Sequence, residues 1–301
     1  MSSDTPLFFS SASRVARRWV PRNRGTVLAA LVLLAIAIPC ILAPLVAPYD
    51  PLAISREEMA TPSQPPSVEH RLGTDPSSRD VLSRLLYGGR LSLSVAVFAT
   101  IVSVTLGTAY GAAAGYSRGL TGAVLERVLD ALLSIPRLLL LIAIFALWDD
   151  IGWWDDIGLK GFVVILGLTG WYGVARLVRG QVLALRAQDF VASARALGAT
   201  PGRIFLRHVL PNVLTPVVVA ATLGIGHVII LEAGLSYLGI GVDPPTPSWG
   251  NMIQEGSGTI ELRTNWWMSL FPGLAIVLTV MAFNVLGEAL LRALQPRQQT
   301  T

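Results

Sequence analysis

The sequence predicts an all-α, polytopic membrane protein with six transmembrane helices, and three features of its 301 residues carry that prediction. Hydrophobic side chains make up 52% of the chain and charged ones 14%, with a mean hydropathy of +0.59. This is more apolar surface than a soluble interior of this size can take, whereas lipid solvates it. The apolar residues are gathered into runs that approach or exceed the roughly 20 residues needed to cross about 30 Å of hydrocarbon. The basic residues, 22 arginines and one lysine, sit between those runs and form no stripe of the kind that binds nucleic acid.

Taken in order, residues 1–24 form an N-terminal arm with Arg14, Arg17, Arg18, Arg22 and Arg24. The uncharged stretch that follows, Gly25 to Tyr49, is 25 residues long. That exceeds the roughly 7–15 residues of a cleavable signal core, so it is read as a retained first span. Residues 50–90 form an external loop, kept extended by Pro51, Pro62, Pro65 and Pro66. Asp75-Pro76-Ser77-Ser78 offers helix-start chemistry, and Arg79 to Tyr87 interleaves charges with Val81, Leu82, Leu85 and Leu86. This pattern predicts a short interfacial helix ahead of the second span. The second span, Leu91 to Ser117, carries Gly107, Gly111 and Gly115 at intervals of four, a spacing that lets another helix approach closely.

The third span, Val124 to Trp148, is long enough only if Asp130 and Arg137 are tolerated; seven residues apart, they fall near one helix face and can turn together toward protein or a cavity. Pro136 is a kink point, and a short re-entrant hairpin is the alternative reading. Gly161 to Ala175 extends to Val178 if Arg176 snorkels to the headgroups, giving the fourth span. Val209 to Leu231 and Thr264 to Gly287, both free of Asp, Glu, Lys and Arg, are the fifth and sixth.

Six spans put both ends on one side. The arm, the turn with Arg118 and Arg127, six arginines between positions 176 and 207, and the tail with Arg292 and Arg297 fall together, and the positive-inside rule makes that side cytoplasmic. The five spans and loops of residues 91–293 form a core, and residues 294–301 a tail. Trp148, Trp153, Trp154, Trp249, Trp266 and Trp267 gather at the opposite ends, as an interfacial belt does.

The connection between spans four and five, residues 180–211, is too charged to span and too helical to be a linker. Asp189 is a candidate cap for Phe190 to Leu197, and Gly198 can end that piece in a left-handed conformation. Thr200-Pro201 starts a second piece, and Pro211 marks the start of span five. Val191, Ala194 and Leu197 make one small apolar patch, with Arg195 off it. Such a loop is either a surface hairpin resting on the headgroups or a knob for a soluble partner.

Catalytic chemistry finds little support. Cys40 stands alone, and His70, His208 and His227 lack the spacing of a zinc site. A phosphate-binding Gly-x-x-x-x-Gly-Lys loop does not occur, and Ser92, Ser94 and Ser236 have no convincing base partner.

Four ordered motifs between Asn23 and Gln295 nevertheless resemble one family. Ala192-Ser193-Ala194, Gly198 and His208-Val209-Leu210-Pro211 resemble the signature loop of ABC importer permeases, in which a Glu-Ala-Ala triplet precedes a glycine and an Ile-x-Leu-Pro end. The longer Ala194 to Ala199 and Arg207 to Asn212 segments resemble the C-type subunit of the dipeptide/oligopeptide/nickel group. Leu72-Gly73-Thr74-Asp75 with Arg79 to Arg84, Asp130 with Pro136, and Glu232 to Gly239 with Pro245, Pro247, Trp249 and Gly250 also match. The departure is at the acidic first position, which is Ala192 here, and the second, which is Ser193. This weakens any salt bridge there and leaves Asp189 and Arg195 for other charged contacts, while the glycine and the Leu-Pro end keep the loop shape.

The resemblance implies a type I ABC importer permease fold in the cytoplasmic membrane, with a cytoplasmic coupling helix between spans four and five. It implies as partners a homologous second permease, two ATPases that hold ATP and magnesium, and an extracytoplasmic solute-binding protein. This chain would hold no cofactor or metal, and its substrate would be a di- or oligopeptide or, alternatively, a nickel complex or other small solute. Coupling falls to Asp189, Ala192, Ser193, Ala194, Arg195, Gly198, Arg203, His208, Leu210 and Pro211. Asp130, Arg137, His227, Glu232 and Asn284 are candidates to line the pathway or a helix interface, and Pro245, Pro247, Trp249 and Gly250 to shape the external mouth. A secondary transporter would more often carry internally repeated bundles and mid-membrane ion sites. An intramembrane protease would need a nucleophile and base pattern that the sequence lacks.

Overall fold

The computed structural model describes residues 24–54, 63–151, 154–242 and 244–294. The arginine arm ahead of Arg24, Ser55 to Pro62, Gly152 and Trp153, Asp243 and the tail beyond Leu294 lie outside the described residues. Among the described residues the named elements are helical, and the β contact is an isolated bridge between Thr74 and Asp80. The chain runs α1 (Arg24–Ile41), α2 (Ala43–Val46), α3 (Val81–Tyr116), α4 (Gly119–Leu133), α5 (Arg137–Ile151), α6 (Trp154–Leu168) and α7 (Trp171–Arg186). It continues as α8 (Asp189–Ala196), α9 (Pro201–Ile204), a π-helical turn (Phe205–Val209), α10 (Leu210–Tyr237), α11 (Trp249–Glu255), α12 (Thr259–Thr264) and α13 (Trp267–Leu294).

Among the described residues five segments are long and apolar enough to cross a membrane: Arg24–Ile41, Val81–Tyr116, Gly158–Arg186, Pro201–Tyr237 and Trp267–Leu294. A sixth span exists if α4 and the first part of α5, Arg137–Leu147, count as one, but they meet at 79°. The third span expected from the sequence is therefore broken at Ser134-Ile135-Pro136, at the proline read as its kink point. Proline lacks the N–H that would continue the helix and drives Ile135 out of the helical region. A consequence is that Asp130 and Arg137 do not share a face.

The interfacial helix expected at residues 79–87 is not a separate element. It forms the first turns of α3, which continues without a break for 36 residues. Its cap is Asp80, whose carboxylate accepts from the backbone N–H of Ser83 at 2.7 Å. Asp75 instead closes the preceding turn, accepting from the N–H groups of Ser77 and Arg79 at 2.9 Å each.

Helix α3 is the central element, packed chiefly on α7 and also on α6 and α10. Its glycine stripe makes the first of these contacts possible. A Cβ on Gly107 would lie 2.6 Å from Cβ of Val174, and one on Gly115 2.8 Å from Cβ of Val182, distances that real side chains do not adopt. The main core joins Val95, Ala96 and Ala99 of α3 to Leu141, Phe162, Ile229 and Trp249. A second cluster, at the end bearing α8, joins Ala112, Val178 and Val182 to Val191, Ile204, Val209 and Val213. Leu28, Leu31 and Leu34 of α1 remain more than half exposed, a surface suited to acyl chains.

Candidate functional site

The internal loop is built by local rules. Helix α8 begins after Gln188, which makes no side-chain cap; Asp189 is its first residue and not the expected cap, and as an acid in the first turn it still favours the helix dipole. The C-terminus is a Schellman motif: the N–H of Ala199 donates to the carbonyl of Ala194 at 3.1 Å, and that of Gly198 to Arg195 at 3.0 Å. Gly198 has φ +82°, and no neighbouring atom lies within 4 Å of a Cβ built there. Thr200 then caps α9, with Pro201 at its first position.

The loop presents a face different from the expected one. Val191 is buried and Ala194 half-buried in the cluster with Val178 and Ile204, so these two point into the bundle. Leu197 does not join them and is 88% exposed, because the capping residue has already left the helical period. The outward face carries Asp189, Ala192, Ser193 and Ala196, followed by Leu197 and Gly198, all exposed. The two positions that depart from the family signature, Ala192 and Ser193, therefore face outward, where small side chains permit close approach. Arg195 and Arg203 are exposed as well and make no ion pair among the described residues.

The loop is tied to two spans. The Tyr116 hydroxyl, at the end of α3, donates to the carbonyl of Pro201 at 2.6 Å, and its ring meets Phe205 edge-on at 5.2 Å. Toward α10 the chain passes through the π-helical turn, where Pro211 lacks an N–H and the Asn212 side chain donates to the carbonyl of His208 at 2.6 Å. His208 is half-buried, its ring 6.4 Å from Phe190 of α8, and Leu210 and Pro211 are the first residues of α10. Such a turn is a structural seam of the kind that recurs at functional sites.

The intramembrane polar groups separate. Asp130 pairs with Arg176 of α7 at 2.7 Å, and Glu126 with Arg179 at 2.7 Å, so α4 is laced to α7 and not to Arg137. These partly exposed pairs are each worth about 1 kcal/mol or less. Arg137 donates to the carbonyl of Leu166 at 2.7 Å, while its buried Nε has no hydrogen-bond partner among the described residues. It lies within electrostatic reach of Tyr172 and His227. His227 of α10 and Asn284 of α13 are exposed in this chain. Glu232 is fully buried within the chain, accepting from Ser92 of α3 and Ser236 of α10 at 2.9 Å each; it occupies a helix interface and no open pathway.

At the opposite face, Trp249 is fully buried, its N–H groups donating to Ser92 Oγ at 3.3 Å and, from the ring, to the carbonyl of Leu85 at 3.1 Å. Pro247 and Gly250 are buried with it and Pro245 is exposed, so of the four expected mouth residues only Pro245 is open to a partner. Trp267 likewise leaves the expected aromatic belt: its ring N–H donates to the carbonyl of Thr74 at 3.1 Å, whereas Trp266 stays 48% exposed.

Beneath these lies a charge network that sequence reasoning missed. Arg79 meets Asp75 at 2.6 Å, and fully buried Arg84 meets Glu255 of α11 at 2.9 Å and Asp75 at 3.4 Å. His70 and Asp80 pair at 3.0 Å beside it. The only available signal was two arginines on an otherwise apolar helical pattern, with the partner acid 171 residues away. Among the described residues no group of three or more His, Cys, Asp or Glu is arranged to hold a metal.

A central helix packed through glycines, a broken span and a capped two-piece loop between the fourth and fifth spans define a polytopic α-helical membrane protein. Residues 89–300 match the family described as binding-protein-dependent transport system inner membrane component, and residues 12–66 match the N-terminal transmembrane domain of oligopeptide transport permease C. The chain belongs to this family of non-catalytic ABC importer permeases, as a C-type subunit. Among its relatives, the dipeptide transport system permease protein DppC of Bacillus subtilis is 36% identical over 95% of this chain and 86% of that protein. The di/tripeptide transport system permease protein DppC of Pseudomonas aeruginosa is 35% identical over 98% and 96%. The glutathione transport system permease protein GsiD of Escherichia coli is 37% identical over 92% and 88%. An inward-facing structure of the MetNI methionine ABC transporter shares the fold, with a TM-score of 0.59 and 22% identity over 71% of this chain and 98% of that one.

Proposed function

We propose that this chain is one half of the membrane pathway of an ATP-driven importer for di- and oligopeptides. The observation that carries the substrate class is near-full-length similarity to permeases whose names specify dipeptides, di- and tripeptides and glutathione, all of them peptides. The other half is a homologous permease, the energy comes from two cytoplasmic ATPases carrying ATP and magnesium, and an extracytoplasmic binding protein delivers the substrate. Both termini and α8 lie in the cytoplasm, in line with the arginine distribution.

In this reading α8 is the coupling helix. Its outward face, Asp189, Ala192, Ser193 and Gly198, docks on an ATPase, with Arg195 and Arg203 supplying charge at the rim. Movement of the loop passes through His208, Leu210 and Pro211 into α10 and through Tyr116 into α3, switching the pathway between two access states. Arg137, His227 and Asn284 are the polar groups available to the pathway or the second permease, and Pro245 to the binding protein. The test is reconstitution with the homologous second permease, the two ATPases and the binding protein, followed by ATP-dependent uptake of labelled di-, tri- and oligopeptides. Stimulated uptake of at least one peptide length is expected, and no stimulation by any of them would remove peptides as the substrate.

A further inference from the structure

A cleft of about 470 Å³ opens beside the internal loop, lined by Arg118, Arg186 and Arg195 with Tyr116, Pro201 and Ile204. Arg186 is fixed in place: Nη1 donates to the carbonyls of Gly115 at 2.6 Å and Tyr116 at 3.1 Å, and the guanidinium stands 5.2 Å over the Tyr116 ring. Arg118 and Arg195 are exposed and meet no carboxylate among the described residues. Three guanidinium groups around one cleft without a compensating acid favour an anion, and phosphate suits their planar donors.

Tyr116 also lines a second cavity, of about 410 Å³, that runs back along α3. Ala109, Ala112 and Ala113 line one side of it, with Phe205 and Leu210. From Thr108 to Tyr116 it follows about 12 Å of helix axis, inside the apolar segment that crosses the membrane. A carboxylate on a soluble partner would account for the arginines but would leave the apolar groove empty, and so would a free phosphate. A lipid accounts for both.

We propose that the two cavities form one site for an anionic phospholipid. Its phosphate rests among Arg118, Arg186 and Arg195, and one acyl chain lies along Ala109 and Ala113 against Phe205 and Leu210. The occupant touches Tyr116, whose hydroxyl holds Pro201, and Phe205 of the π-helical turn, so occupancy bears on the geometry of the loop. The inference requires only that this end of α3 reaches a membrane surface; it depends neither on which surface that is nor on the coupling role.

The test is native mass spectrometry of the chain purified in mild detergent with whatever subunits accompany it. It is titrated separately with phosphatidylglycerol, phosphatidylcholine and inorganic phosphate. Phosphatidylglycerol should bind in preference to phosphatidylcholine. The double variant Arg118→Gln/Arg195→Gln should weaken its binding about 25-fold, at a factor of about five for each arginine near a lipid surface. Ala113→Phe, which fills the groove without changing charge, should weaken it independently and keeps the test open if the arginine variant misfolds. Equal binding of both lipids with both variants indifferent would overturn the site. So would displacement of phosphatidylglycerol by inorganic phosphate with Ala113→Phe silent, or release of companion subunits from the arginine variant with lipid binding unchanged.

Discussion

Glu232 joins α3 to α10 through hydroxyl groups, accepting from Ser92 and Ser236 with no exposure of its own. Glu232→Ala would leave two buried hydroxyls without an acceptor as well as a cavity, at a cost of about 1–3 kcal/mol for each unsatisfied group. Glu232→Gln keeps an acceptor oxygen and much of the volume. Thermal unfolding in detergent should therefore show a clear fall in melting temperature for the alanine variant and a smaller one for glutamine. Equal effects would contradict the hydrogen-bonding role. At this scale the sequence was informative where chemistry is local: Gly198 as a left-handed stop and Thr200-Pro201 as a start are both read from neighbouring residues. It was uninformative where partners are distant, as for Arg84 and Glu255 or for Trp249 and Ser92, since nothing local distinguishes a buried pair from two solvated side chains.

The elements divide in the same way. Hydropathy locates the spans because each must satisfy its own backbone in lipid, and the four-residue glycine spacing in α3 does mark a packing face. What hydropathy could not supply was direction: Pro136 turns the chain by 79°, and α3 begins ten residues earlier than its uncharged run because Arg84 is neutralised by a distant acid. The glycine faces can be tested against each other. A side chain at Gly111 would collide with Val178 and the backbone of Ala175, whereas Gly180 of α7 has no neighbour within 4 Å. Gly111→Val should destabilise the solubilised chain by about 1–3 kcal/mol, the range for overpacking a filled core. Gly180→Val should leave the isolated chain's melting temperature nearly unchanged, and a reversed order would mean that α3 and α7 do not pack through this stripe.

For the whole molecule, the proposed topology makes α8 and the loop before α3 opposite in sidedness. With Cys40 replaced by alanine, Val68→Cys, whose native side chain is 97% exposed, should react with an impermeant thiol reagent added outside sealed cells. Leu197→Cys, at the tip of the internal loop, should react only after the membrane is permeabilised; external labelling of Leu197→Cys would reverse the topology. If this loop couples ATP hydrolysis to transport, Gly198→Asp should separate folding from coupling. Space around Gly198 is open and aspartate enters the left-handed region more readily than most residues, so folding should suffer by only about 1 kcal/mol. A docked loop would instead bury an unpaired charge in a close interface, which costs several kcal/mol. The measurement is co-purification of the ATPases together with peptide uptake, both normalised to folded, membrane-inserted permease. The expected result is normal insertion with ATPase association or ATP-driven uptake lost, and normal assembly with normal uptake would contradict the coupling role of this loop.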